Sequence, residues 1–210
     1  MIVVIGDVAG RADESGEIGA AGFAATGAAA AAAAGSKVEL VTRLGEDRTG
    51  DAVILALARA GVGHVATLRD PGRATRLMSS TPDEEQTDPD EDPRRPTVES
   101  PPGPALEPAD VGLALRYLSD YRVIVVAHPT DRGVLGEAVD AAGWSGAHLV
   151  VVTSPELDLD VALPRDALAM TADPGADGVG SRVGRYAAAI DSGAERDTAY
   201  AALTGANGES

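Results

Sequence analysis

Polar residues that could do chemistry follow several short apolar segments of the chain. Asp7 follows the first segment, and Arg43 and Asp47 follow the second. The candidates after two later segments are His128, Asp131, Ser154 and Glu156. Carboxylates and imidazoles can act as acids or bases, and an arginine can pair with an anion. Asp, Ser and Thr at such positions also commonly cap the next helix, so some of these candidates would be caps instead.

These candidates depend on the elements that would hold them. Strands are predicted at residues 2–5, 38–42, 64–68, 73–78, 123–127 and 148–153. Helices are predicted at residues 22–34, 49–60, 108–118, 132–142, 177–191 and 195–203. Strands that alternate with helices of this length predict an α/β fold, with a mainly parallel sheet and helices on both faces. Ligands bind such a sheet at the carboxyl ends of its strands, where the candidates lie.

Composition limits the classes of function. A length of 210 residues predicts a single domain over 1–210. The net charge of −16 argues against a nucleic-acid partner, because such a protein needs a basic face. The absence of cysteine excludes disulfides, thiol nucleophiles and thiolate metal sites. No segment has the pattern of a signal peptide or a membrane span, so we expect a cytoplasmic protein with no membrane partner.

Acidic residues concentrate in a proline-rich stretch at residues 81–96. Seven acids and no base lie between residues 83 and 92. Such a stretch cannot bury apolar surface, and it is predicted to be a solvated loop. We interpret this acidic loop as a tolerated insertion, with cation binding or partner docking as the alternative.

A pattern of small residues and one carboxylate extends over the first 60 residues. It consists of two motifs on either side of a predicted strand, with the residues Gly22, Thr26, Gly45, Asp47 and Gly50. The last three form Gly-x-Asp-x-x-Gly at the start of a helix. This block resembles the N-terminal signature of the ribokinase (PfkB-type) family of carbohydrate and nucleoside kinases. Ala21 stands where the family has the first glycine of a Gly-Gly pair, and Thr26 stands where it has an asparagine.

The resemblance implies a three-layer ribokinase-like sheet with a small β lid. The lid is expected at about residues 69–100, with strands at 73–78 and 97–99 and with the acidic loop as a turn. Arg73 and Arg76 would be its ligand-facing residues. The substrate-binding residues implied by the matching positions are Asp7, Gly22, Thr26, Arg43 and Asp47. Family members often dimerise through the lid, so the resemblance allows a homodimer.

A second match lies at residues 173–178, which are Asp-Pro-Gly-Ala-Asp-Gly. They are similar to the family's Gly-Ala-Gly-Asp signature, whose amides form an anion hole and whose Asp takes the proton from the substrate hydroxyl. The resemblance thus implies an anion hole at Gly175, Ala176 and Gly178, and a base at Asp177. The last two residues are reversed relative to the family, which turns the acid by roughly 100° along a helix. The alternative is that Asp177 only caps the helix.

The stretch that binds the nucleotide in the family is shortened. About 45 residues separate strand 123–127 from the second match, and no asparagine precedes Asn207, so the family's Asn-x-x-Glu motif is missing. We therefore predict a reduced relative that binds a sugar or nucleoside, with phosphotransfer impaired or lost. The alternative is an active kinase that uses ATP, with Mg²⁺ carried by the phosphates. No metal site is predicted from the histidines, because no ligand motif matches the spacing of His64, His128 and His148.

Overall fold

The computed structural model describes residues 1–78, 103–155, 161–174, 176 and 178–204. Its strands are β1 (Ile2–Gly6), β2 (Ala9–Ala12), β3 (Ile18–Ala21), β4 (Val38–Gly45), β5 (Val62–Gly63), β6 (Thr67–Asp70), β7 (Leu77–Met78), β8 (Val123–Ala127), β9 (His148–Thr153) and β10 (Leu168–Thr171). Its helices are α1 (Phe23–Ala33), α2 (Arg48–Arg59), α3 (Pro108–Tyr117), α4 (Arg132–Ser145), α5 (Val179–Asp191) and α6 (Arg196–Thr204). Among these residues, no helix combines the length and hydropathy needed to cross a membrane.

Strand β1 lies inside a central sheet whose paired strands are all parallel. The strand order is β10-β9-β8-β1-β4-β5, and β6 pairs with the second half of β4. Ile2 is in register with Val38 of β4 on one side and with Val123 of β8 on the other. The continuous apolar sequences of these strands fit this position, because a parallel sheet is covered by helices on both faces.

Helices on the two faces of the sheet enclose two hydrophobic cores. Ile2 and Val4 of β1 lie in the core shared with α1, α2 and α5. Val3 and Ile5 lie in the core shared with α3 and α4. Successive side chains of a strand point to opposite faces, so one buried strand fills both layers. The predicted α/β fold, with a mainly parallel sheet and helices on both faces, is confirmed.

A second, smaller sheet follows the carboxyl end of β1. Its strand order is β3-β2-β7, with β2 antiparallel to β3 and parallel to β7. The sequence does not predict β2 and β3, because their residues AGRA and IGAA include a single β-branched side chain. Only Leu77–Met78 of the predicted strand 73–78 belongs to a sheet. The predicted strand at 97–99 and the acidic loop lie outside the described residues.

Two further parts of the central sheet differ from the prediction. In place of the one strand predicted at 64–68, the structure has β5 before this segment and β6 from Thr67 onward, and the two pair with opposite ends of β4. Strand β4 is eight residues long, so two short pieces together cover its edge. Strand β10 was not predicted, because its sequence LAMT is rich in helix formers and becomes extended only by pairing with β9.

Glycines allow α1 and α5 to approach each other closely. A Cβ on Gly184 would meet the carbonyl oxygen of Gly27 and would lie 3.0 Å from the Cβ of Ala30. A Cβ on Gly180 would lie 3.1 Å from the carbonyl oxygen of Phe23, in the first turn of α1. The contact therefore brings the N-terminal turns of the two helices together.

We expect Gly184→Val to destabilise the fold by about 1–3 kcal/mol, because the added atoms would overlap the Gly27 carbonyl and separate the two helices. Urea denaturation at neutral pH measures the change in the free energy of unfolding. Gly143→Val on α4 is the control, because a Cβ there meets no atom within 4 Å. An equal effect of both substitutions would contradict the close contact as the cause.

Candidate functional site

A cleft of ≈ 560 Å³ opens between the small sheet and the N-terminal turns of α1 and α5. Helix α2 contributes to one wall. The lining residues are numbers 11–13, 17–23, 26, 56, 59, 78, 174, 176, 178 and 180. This volume is typical of sites for small molecules, which span about 300–1,000 Å³. Segments distant in the sequence thus converge on one concave surface.

The N-terminus of α5 forms one end of the cleft. Gly178 is the N-cap residue, with a left-handed backbone at φ 71°, and it lines the cleft with Ala176 and Gly180. The first amides of a helix have no partner within the helix and carry partial positive charge, which favours an anion. The structure therefore brings two predicted anion-hole residues, Ala176 and Gly178, to the cleft. Gly175 and the predicted base Asp177 lie outside the described residues.

Gly22 and Thr26 line the cleft from α1. Gly22 precedes the helix with φ 102°, a conformation that favours glycine. Its carbonyl accepts a hydrogen bond of 2.9 Å from the Thr26 hydroxyl. The Thr26 oxygen keeps acceptor capacity, so it can accept a hydrogen bond from a ligand hydroxyl. These two predicted substrate residues lie beside α5, since a Cβ on Gly180 would be 3.3 Å from the Cβ of Thr26.

Asp47 holds parts of the fold together outside the cleft. As the N-cap of α2, it accepts a hydrogen bond of 2.7 Å from the Gly50 amide, and its second oxygen accepts one of 2.7 Å from the Thr75 amide. The Gly45 amide donates to the Thr75 hydroxyl at 2.9 Å. A Cβ on Gly45 would lie 2.5 Å from the carbonyl oxygen of Arg73. The Gly-x-Asp-x-x-Gly motif therefore binds the segment that leads into β7.

These contacts determine the charge state of Asp47. Desolvation alone would raise the pKa of the carboxyl group. Hydrogen bonds from Gly50 and Thr75 and the charge of Arg69 outweigh it, so the pKa is lower than the ordinary value. Asp47 is thus an anion with both oxygens occupied by protein donors. Its role in substrate binding stays a prediction.

The predicted arginines also lie outside the cleft. Arg43 forms ion pairs of 2.8 Å with Asp110 and 3.2 Å with Glu107, at the start of α3. Helix α3 packs on the face of the sheet opposite to α1 and α5. Arg73 and Arg76 are exposed on the segment before β7, and neither lines the cleft. The structure therefore does not bring these three arginines to the residues at the starts of α1 and α5.

Asp7 lies at the carboxyl end of β1, beside a cavity of ≈ 10 Å³ that it shares with His128. Desolvation raises the pKa of Asp7, and the charge of Arg76 offsets part of this effect. The Asp7 residue is nevertheless exposed to solvent. A carboxyl group with a raised pKa gives up its proton nearer to neutral pH than an ordinary aspartate does. Asp7 does not line the main cleft.

His128 was a candidate because it follows β8. It lies behind Phe23, one of the residues that line the cleft. Its φ of 49° is uncommon for a residue other than glycine. Its ring packs edge-on against Phe23, with centroids 4.9 Å apart, and neither buried ring nitrogen has a hydrogen-bond partner among the described residues. Desolvation lowers the pKa of His128, and the charge of Asp173 offsets part of this effect. The neutral imidazole thus backs Phe23, which lines the cleft.

The charged side chains of the cleft are ones that sequence reasoning missed. Within the described residues they are Arg11, Asp13, Glu17 and Arg59. Three of them belong to the β2–β3 hairpin. This hairpin was not predicted, because its residues have weak strand propensity. One signal was present, because the segment Asp-Glu-Ser-Gly at residues 13–16 is typical of a turn between two strands. Interpreting it as a hairpin would have placed Arg11 and Glu17 on facing strands.

The parallel sheet, the small sheet and the cleft at the starts of α1 and α5 define a ribokinase-like α/β fold. No protein-family model and no curated protein matches the chain. Solved structures do match it: a putative ribokinase II from E. coli superposes with a TM-score of 0.64 at 14% identity, over 94% of this chain and 88% of that one. At these identities the likeness establishes the fold.

Two further solved structures show the same fold. A PfkB protein from Polaromonas sp. JS666 has a TM-score of 0.53 at 20% identity, over 77% of this chain and 58% of that one. An aminoimidazole riboside kinase from Salmonella enterica has a TM-score of 0.55 at 16% identity, over 75% of this chain and 50% of that one. This chain spans 54% of a similar sugar kinase from Pyrococcus horikoshii, about half of its length.

We expect Asp47→Ala to lower stability by about 1–2 kcal/mol at neutral pH, because it removes the α2 cap and the bond to Thr75. Because the folded-state pKa is lowered, this contribution is complete above the ordinary pKa of 3.8 and is lost as the pH falls through the folded-state value. The difference in urea midpoint between wild type and variant should therefore shrink on acidification.

Asp131→Ala is the matched control, because it removes the cap bond of 2.6 Å to Gly133 at the start of α4. We expect it to cost less than Asp47→Ala, which also frees the Thr75 segment. Unchanged stability of Asp47→Ala together with weaker ligand binding would contradict the structural role of Asp47.

Proposed function

We propose that this protein binds a sugar- or nucleoside-type small molecule in the cleft and that its phosphotransfer is impaired or lost. The observation that carries the proposal is the convergence of Gly22 and Thr26 with the N-terminus of α5 on one cleft. The matching structures support the ligand class, since their names are those of a ribokinase, a PfkB protein and a riboside kinase. The small sheet is the lid over this ligand.

The chemistry of the walls suits a polyol. Gly19, Ala20 and Ala56 are small and leave the volume free for a ring. Glu17 and the Thr26 oxygen can accept hydrogen bonds from ligand hydroxyls, and Arg59 can donate them. A few polar groups among small and apolar side chains are typical of sites that recognise small molecules.

One feature supports the loss of phosphotransfer. The N-cap residue of α5 is Gly178, which has no side chain to act as a base. Without a base at this position, transfer to a ligand hydroxyl would be inefficient.

An active ATP-dependent kinase is the second candidate, and the position of α5 favours it. The amides at the start of this helix border the space that the ligand would occupy. In that case Ala176 and Gly178, with Gly175, would stabilise the transferring phosphoryl group and Asp177 would take the hydroxyl proton. ATP and Mg²⁺ would be brought as co-substrates.

We expect at least one compound in a panel of sugars and nucleosides to raise the thermal midpoint, because a ligand that binds only the folded state stabilises it. Gly19→Leu should abolish the shift, since its side chain would enter the cleft while the nearest atom to a Cβ there is 3.9 Å away. Gly136→Leu on α4, where a Cβ meets nothing within 4 Å, is the control and should keep it. No shift with any compound would contradict the binding function.

We expect no release of ADP above the background rate when the same panel is incubated with Mg-ATP, since the N-cap residue of α5 is Gly178, which has no side chain to act as a base. A coupled assay for ADP measures this, with Asp177→Asn run in parallel. Turnover that Asp177→Asn abolishes would contradict the loss of phosphotransfer and would establish the kinase. Turnover that survives this substitution would point to a contaminating enzyme.

A further inference from the structure

Arg11 projects into the cleft from a backbone that is held on both sides. It lies on β2, the middle strand of the small sheet, in register with Gly19 of β3 and Met78 of β7. A Cβ on the preceding Gly10 would lie 2.7 Å from the Thr49 side chain, so the strand packs tightly against α2. The Arg11 side chain thus starts from a fixed position.

The other charged groups of the cleft each have a charged or polar partner within the protein. Glu17 and Arg59 form an ion pair of 2.9 Å. One oxygen of Asp13 accepts hydrogen bonds from the amide and hydroxyl of Ser15 and from the amide of Glu17. The Ser15 hydroxyl, together with the backbone amides, lowers the pKa of Asp13, so this carboxylate is charged and serves the turn. Asp13 therefore stabilises the turn of the hairpin, and Glu17 pairs with Arg59 of α2.

Arg11 has no carboxylate within 4 Å among the described residues. Its Nη2 donates to the sulfur of Met78 at 3.8 Å. A thioether is a weak, uncharged acceptor, so it orients the guanidinium without neutralising it. A guanidinium with free donors matches two oxygens of a carboxylate or a phosphate in a bidentate fashion. Because the whole chain carries −16, attraction of an anion depends on local positive charge such as that of Arg11.

We propose that Arg11 is a specificity-determining residue of the cleft and that the ligand carries a carboxylate or phosphate group held by its guanidinium. This inference rests on the proposed function and narrows its ligand class to sugars or nucleosides that already bear an acidic group. The binding oxygens are the same in both groups, and the test separates them.

Isothermal titration calorimetry on the full chain compares matched ligands. The pairs are D-ribose with D-ribose 5-phosphate and D-glucose with D-gluconate, and inorganic phosphate is titrated alone. The variants are Arg11→Gln, Arg11→Lys and the control Arg185→Gln, which removes the same charge from an exposed position on α5 outside the cleft. Circular dichroism melts confirm that the exposed substitutions leave the fold unchanged.

We expect wild type to bind the acidic member of at least one pair about tenfold more tightly than the neutral member, the gain typical of a charge-assisted hydrogen bond. Arg11→Gln should remove this preference, Arg11→Lys should keep part of it, and Arg185→Gln should keep all of it. The pair that shows the preference identifies phosphate or carboxylate as the group.

Other outcomes contradict the inference in distinguishable ways. Equal binding of neutral and acidic members, or a preference that survives Arg11→Gln, would overturn the role of Arg11 and leave the proposed function intact. Failure of wild type to bind any of these compounds would overturn the inference, and the proposed function would fail with it only if no compound of the panel of sugars and nucleosides raises the thermal midpoint. Inorganic phosphate bound as tightly as D-ribose 5-phosphate, and lost in Arg11→Gln, would support the anion site and contradict the sugar ligand.

Discussion

The contact between α1 and α5 determines the position of both helix starts that border the cleft. Glycine at positions 27, 180 and 184 lets the two backbones touch, because any side chain there would meet a carbonyl oxygen or a neighbouring Cβ. Gly22 and Gly178 precede the same two helices. A wider helix spacing would therefore move Thr26 away from the amides of α5, and the two halves of the site would separate.

A second set of contacts places the opposite wall. Asp47 and Gly45 bind the backbone around Thr75, which leads into β7. Strand β7 pairs with β2, and β2 presents Arg11 to the cleft. The Gly-x-Asp-x-x-Gly motif thus acts on the ligand site through the strand order of the small sheet. The motif that resembles a substrate signature therefore supports the small sheet through these contacts, without lining the cleft itself.

The central sheet was predictable because strands buried on both faces must be apolar throughout, as residues 2–5 and 123–127 are. The small sheet could not be predicted in this way. Its segments AGRA and IGAA become strands through pairing and packing, and the intrinsic strand propensity of their residues does not indicate either. Gly22 and Thr26 were identified from a resemblance, and both reach the cleft. Arg43 pairs with Glu107 and with Asp110, the second of which is 67 residues away, so these ion pairs could be seen only in the folded chain.

The charge of the cleft follows from how its acids are used rather than from the charge of the chain. Asp13 and Glu17 would balance two arginines if both were free to pair. The turn amides occupy an oxygen of Asp13, and Arg59 pairs with Glu17, so neither acid pairs with Arg11. Within the described residues, a chain that repels anions at long range thus presents Arg11 without a carboxylate partner inside a concave site. Because such an interaction acts over a few ångströms, the proposed preference for an acidic ligand is separable from the net charge of −16.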